Sequence, residues 1–160
     1  MNVWGAVAGG FVGTLVLTTA LRGASELGLT RVDLPFLLGT AFTADRGRAK
    51  AIGYVAHFLL GEVFALIYFG VFVAIDTSSW WLGALFGLLH GIVSSSALIT
   101  ELLPTIHPRM GTVLSAADST PLIEPPGFLA LNYGRRTPLV TVLAHVAYGT
   151  IVGGFVSLAS

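Results

Sequence analysis

Four stretches of the chain, residues 3–21, 51–75, 80–103 and 139–159, are almost wholly apolar, and they decide most of what it can fold into. Each holds about 19 to 25 residues, or roughly 28 to 37 Å as a helix, against a hydrocarbon core of about 30 Å. A membrane β-barrel would show alternating segments of about ten residues instead. In lipid each such run must close its own backbone hydrogen bonds, so helices are predicted. Only 10% of the residues are charged, where a soluble domain carries about 25%. The predicted fold class is therefore all-α: a single transmembrane domain over residues 1–160, an integral membrane four-helix bundle.

A formal net charge of zero, with no basic patch, argues against nucleic acid as a partner. The absence of cysteine excludes disulfides, thiolate metal sites and cysteine nucleophiles. The opening "MNVWGAVAGGFVG" lacks the basic region of a signal peptide and is expected to remain in the mature protein.

All eight basic residues lie between spans one and two (Arg22, Arg31, Arg46, Arg48, Lys50) or between three and four (Arg109, Arg135, Arg136). A one-sided placement of this kind arises by chance roughly once in a hundred, so the positive-inside rule puts both connections in the cytoplasm. The tryptophans, Trp4, Trp80 and Trp81, fall at the opposite ends of their spans, where aromatic rings anchor in the interface. Both termini are then expected outside the cytoplasm.

The chain also repeats itself. One constant offset pairs Leu34 with Leu122, Gly39 with Gly127, Arg48 with Arg136, Ala56 with Ala144, His57 with His145 and Gly61 with Gly149. A shorter offset pairs Gly5, Ala6, Gly9 and Gly13 with Gly83, Ala84, Gly87 and Gly91. The pattern predicts two parallel helical hairpins, about 3–75 and 80–159, related by an axis along the membrane normal. Gly5, Gly9 and Gly13, and likewise Gly83, Gly87 and Gly91, form small-residue ridges of the kind that let helices pack closely in lipid. The first and third spans are expected to cross there.

Each connection holds a short apolar piece flanked by proline, glycine and charge, too short to span and suited to lie in the interface as turns, with re-entry as the alternative. In these pieces "LPFLLGTAFTADRGRAK" and "EPPGFLALNYGRRTPLVTVLAH" resemble motifs of a family of small bacterial four-helix integral membrane proteins of uncharacterised function. The resemblance implies a bacterial inner membrane and four helices. It carries over no catalytic residue.

Polar residues within the spans are the functional candidates, because charge at a helix centre costs about 2.5 to 3.5 kcal/mol on translocon scales. His57 and His145 each lie nine residues beyond the matched arginines and are predicted at one depth. Gly61 and Gly149, four residues further on, remove bulk beside each imidazole. At about 100° per residue His90, Ser94 and Glu101 share a face, Tyr148 joins His145, and Glu62 points away from His57.

Three readings follow. His57 and His145 ligate haem b or, with His90 and Glu101, a divalent metal, although no HExxH or ExxH helix motif accompanies them. Alternatively the histidines only hydrogen-bond between helices, and the protein is a structural or accessory subunit, without enzymatic activity, in a homo-oligomer or with other membrane subunits. In the third, Glu62 and His90 line a proton or small-solute path. His107, in "TIHPRMG", reads as a solvated loop residue, the serines 94–96 as helix packing without a nucleophile elbow, and Arg135 and Arg136 as topological charges able to meet lipid headgroups.

Overall fold

A computed structural model describes residues 1–111 and 123–159. Among these, four helical runs are long and apolar enough to cross a membrane. They are α1 (Val3–Glu26), α3 (Arg46–Ala74), the run Trp80–Ile106, and α6 (Thr137–Leu158). Between α1 and α3 lies the short α2 (Leu34–Thr40). The third run is not uniform: α4 (Trp80–Val93) passes into a π-helical segment (Ser94–Leu102) and ends in one turn of α5 (Leu103–Ile106). Leu122, matched above with Leu34, lies outside the described residues.

The helix starts are written locally. The side chains of Asn2, Asp33, Asp45 and Ser79 accept from the backbone N–H groups of Trp4, Phe36, Arg48 and Leu82, so α1 to α4 each begin with one otherwise orphaned donor satisfied. α6 has no side-chain cap and instead carries proline in its first turn, where the missing N–H costs nothing. Several hydroxyls within the spans bond back to their own helices, Thr14 to the Gly10 carbonyl and Thr18 to that of Thr14, which satisfies these donors in an apolar setting.

α6 is the helix the others gather on: it packs closely against α4 and α1, while α3 packs on α1 and α2 on α3. The glycine ridges therefore do not meet each other, as the sequence suggested, but take separate faces of α6. A Cβ on Gly83 would lie 2.1 Å from the Gly149 carbonyl oxygen, and one on Gly87 2.2 Å from that of His145. Gly5, Gly9 and Gly13 abut Ala159, Phe155, Val152 and Tyr148. The reason is that α6 carries Gly149 and Gly153, so α4 and α6 approach glycine on glycine.

The connections also differ from expectation and from each other. α2 is a short helix rather than a turn and lies backbone to backbone on α3, since a Cβ on Gly39 would meet the Ala49 carbonyl oxygen at 1.7 Å and one on Gly53 that of Pro35 at 1.6 Å. The second connection forms a 3₁₀ turn (Phe128–Tyr133) resting on the π-helical segment. There Leu129 and Ala130 adopt left-handed φ values of 52° and 57°, a region costly for residues with a Cβ. Gly39 is thus helical whereas its sequence counterpart Gly127 sits at φ 68°.

Candidate ligand cavity

Where the third run changes from α to π geometry, the helices part and leave a cavity of about 330 Å³. Leu98, Ile99 and Leu102 wall it from the π-helical segment, Leu34 and Leu38 from α2, and Leu60 and Phe64 from α3. Its polar groups are His57, His90, His145, Ser94, Thr14 and Tyr148; no Asp, Glu, Lys or Arg lines it among the described residues. Leu60, Leu102 and Ile106 are 44%, 49% and 65% exposed, so the cavity opens sideways between α3 and the third run.

Most of these polar atoms are already committed. His145 Nδ1 donates to the Thr141 carbonyl at 2.8 Å, which leaves Nε2 as the acceptor for the Ser94 hydroxyl at 3.4 Å. The Tyr148 hydroxyl donates to the Gly61 carbonyl on α3, and Thr14 to Gly10. His90 stands edge-on to His145 with ring centroids 4.6 Å apart, and its Nδ1 lies 3.1 Å from the Tyr68 hydroxyl. The Tyr68 hydroxyl and His90 Nδ1 thus share one hydrogen bond between α3 and the third run. His57 is different. It is 7% exposed, it borders the cavity, and its Nε2 is buried with no hydrogen-bond partner among the described residues.

The predicted site residues thus divide. His57, His90 and His145 come together on one cavity from three spans, with Ser94 and Tyr148. Glu101 does not join them: it is exposed and off the cavity. The expectation assumed α-helical phase from His90 onward, but each π turn takes one more residue than an α turn, so eleven residues no longer return to the same face. Glu62 stands apart from the cavity lining, its Oε2 buried near Gly10 of α1 without a hydrogen-bond partner among the described residues. Gly61 serves a helix contact rather than an imidazole: a Cβ there would strike Thr14 Oγ1. Among the described residues no group of three or more His, Asp or Glu is arranged to hold a metal ion. Arg135 and Arg136 are exposed beside the start of α6.

His107 is not solvated. It is 5% exposed and ties the third run to α2: Nδ1 accepts from Arg109 N–H at 3.1 Å, so Nε2 carries the proton and donates to the Leu37 carbonyl at 3.1 Å. Arg109 adds a bond to the Thr40 carbonyl at 2.8 Å. At the same end Arg31 pairs with Glu124 at 3.2 Å and bonds the Asn132 carbonyl. The buried Tyr133 hydroxyl donates to the Glu124 carbonyl at 2.6 Å. Burial, reinforced by the Glu124 charge and opposed by Arg31, pushes the Tyr133 phenol up to about 12.

The π-helical wall was the part hidden from pattern reading. Its signal is "SSSALITELLP": Pro104 has no N–H to give the carbonyl four residues earlier and crowds it. The Thr100 hydroxyl bonds the Ser95 carbonyl, five residues back. No protein-family profile, curated protein or solved structure matches the chain.

Proposed function

We propose that this chain is a multi-pass membrane protein that binds a small lipophilic molecule between its helices, as a carrier or accessory subunit rather than an enzyme. In this reading the four spans are a four-helix bundle of two parallel hairpins in a bacterial inner membrane, both termini outside the cytoplasm, related to the small bacterial membrane proteins its motifs resemble. The observation that carries the binding role is the cavity of about 330 Å³, within the size of small-molecule sites and, like them, mostly apolar with a few convergent polar groups. Its sideways mouth suits a molecule arriving from the bilayer.

The test is solvent extraction and mass spectrometry of protein purified in native lipid discs. A lipophile enriched over bulk lipid in the natural protein, and lost when Leu98→Trp fills the cavity, supports the reading; identical extracts from both refute it.

A second reading, assembly with another membrane subunit along α3, is favoured by one observation. The apolar window of α3 is 22% buried, against 39 to 44% for the other three spans. Cross-linking in membranes from cysteines placed at Val63 and Ile67, both exposed on α3, tests it: a discrete product supports a packed partner, and none counts against it.

A further inference from the structure

Of the groups that border the cavity, one histidine has a nitrogen left to offer. Ser94, Thr14 and Tyr148 spend their hydroxyl protons on protein acceptors, and His145 uses both ring nitrogens. His57 Nε2 is sealed within the packing, and its Nδ1 is the nitrogen next to the ring's attachment point, held back beside α3. His90 remains. Its Nδ1 is taken by the Tyr68 hydroxyl. Its Nε2, at the tip of the side chain, has no hydrogen-bond partner among the described residues and is not closed off as that of His57 is.

The direction of this nitrogen follows from its surroundings. Across the imidazole ring the two nitrogens point away from each other, and Tyr68, which holds Nδ1, is not part of the cavity lining. The ring itself is flanked by lining residues: Phe64 of α3 lies 3.9 Å from it and His145 of α6 4.6 Å, centroid to centroid. Nε2 is therefore on the edge of His90 turned to the chamber.

The chamber has two unlike ends. Around His90 gather the rings of Phe64, His145 and Tyr148; further along the third run the walls are Leu98, Leu102 and Ile106, toward the sideways mouth. An aromatic end accepts a flat ring through edge-to-face and offset contacts, and an aliphatic end takes a hydrocarbon tail. With no ionised side chain lining the cavity among the described residues, a carboxylate, phosphate or ammonium would sit uncompensated in a low-dielectric site. The head must be neutral. An unbonded imidazole nitrogen donates or accepts according to tautomer, and a hydroxyl meets either. At roughly 30 Å³ for each water-sized unit of a liquid, about 330 Å³ takes on the order of eleven heavy atoms: a ring, its hydroxyl and a short length of tail.

We propose that the cavity holds a neutral phenolic lipid, its ring among Phe64, His145 and Tyr148, its hydroxyl hydrogen-bonded to His90 Nε2, and its tail running along Leu98 and Leu102 to the mouth. This rests on the binding reading above and adds the head group and the residue that selects it. His90 acts here as a specificity residue.

The experiment compares 4-butylphenol, butylbenzene and 4-butylcyclohexanol at equal mole fraction in lipid discs carrying the full chain. Binding is read by competition with a photoreactive alkane, and the His90 imidazole by its ¹⁵N resonances. We expect butylphenol to bind about tenfold more tightly than butylbenzene, the effect of one hydrogen bond made in an apolar site. It should also bind several-fold more tightly than butylcyclohexanol, whose puckered ring forgoes the aromatic contacts. Butylphenol, and not butylbenzene, shifts the His90 Nε2 resonance. His90→Phe keeps butylbenzene binding and loses the butylphenol advantage. Equal binding of butylphenol and butylbenzene, or an advantage that survives in His90→Phe, overturns the hydroxyl contact. Butylcyclohexanol binding as tightly as butylphenol overturns the flat ring. Failure of every probe, butylbenzene included, overturns the binding reading as well. The resonance shift in the natural protein decides the contact even if the variant does not fold.

Discussion

Replacing Gly83 with alanine puts a methyl group where α4 and α6 are closest. The added Cβ would lie 2.1 Å from the Gly149 carbonyl oxygen and 2.9 Å from the Gly153 Cα. Ordinary contact begins near 3.5 Å, so the helices must part by about 1.4 Å at this level. Both obstacles are backbone, so no side chain can turn aside. Overpacking of a tight interior costs about 1 to 3 kcal/mol, and this site belongs at the upper end. Gly70→Ala provides the opposite sign: nothing lies within 4 Å of its new Cβ, and alanine is favoured over glycine in a helix interior by about 1 kcal/mol. Thermal unfolding in mild detergent should therefore lower the midpoint by several degrees for Gly83→Ala and leave it unchanged or raised for Gly70→Ala. Equal midpoints for the two variants would refute the claim that glycine-on-glycine contact holds α4 to α6.

Three further outcomes are expected. His107→Ala removes the bonds to Leu37 and Arg109 and leaves buried groups unpaired, costing about 1 to 3 kcal/mol; hydrogen exchange over 34–40 should rise selectively, and unchanged protection there would contradict the tie between α2 and the third run. Tyr133, held protonated to about pH 12 by burial, titrates near 10 when unfolded. Its contribution is fully present below about pH 10 and is lost between 10 and 12 at up to about 1.4 kcal/mol per pH unit; Tyr133→Phe should remove that part of an alkaline stability profile, and an identical profile would contradict the assignment. Finally, Glu101→Gln should leave binding of a photoreactive alkane unchanged, because Glu101 is exposed and off the cavity, whereas loss of binding would bring Glu101 back into the site.

The spans were legible because apolar run length is a direct physical demand of the bilayer: third-run residues 80–103 became Trp80–Ile106, and first-span residues 3–21 ran on to Glu26. The convergence of His57, His90 and His145 was legible too, since an imidazole at depth has few places to face but inward. What escaped was tertiary. Which face of α6 each glycine ridge takes depends on small residues of the partner, Gly149 and Gly153, rather than on the ridge itself. Glu101 was misplaced because its position was projected along an α-helix through a segment that is π-helical. His107 was read as solvated because its partners, Leu37 and Thr40, lie about seventy residues away in sequence. The unpaired Nε2 of His57 has no sequence signal.

The central claim, that a neutral lipophile enters beside His57, is tested most directly by anomalous diffraction from crystals soaked with 10-bromo-1-decanol. The account predicts a bromine peak inside the chamber walled by Leu98, Ile99 and Phe64 in the natural protein and no such peak in Leu98→Trp. Bromine found only along the outer surface of the helices, with the chamber walls collapsed onto one another, would contradict it.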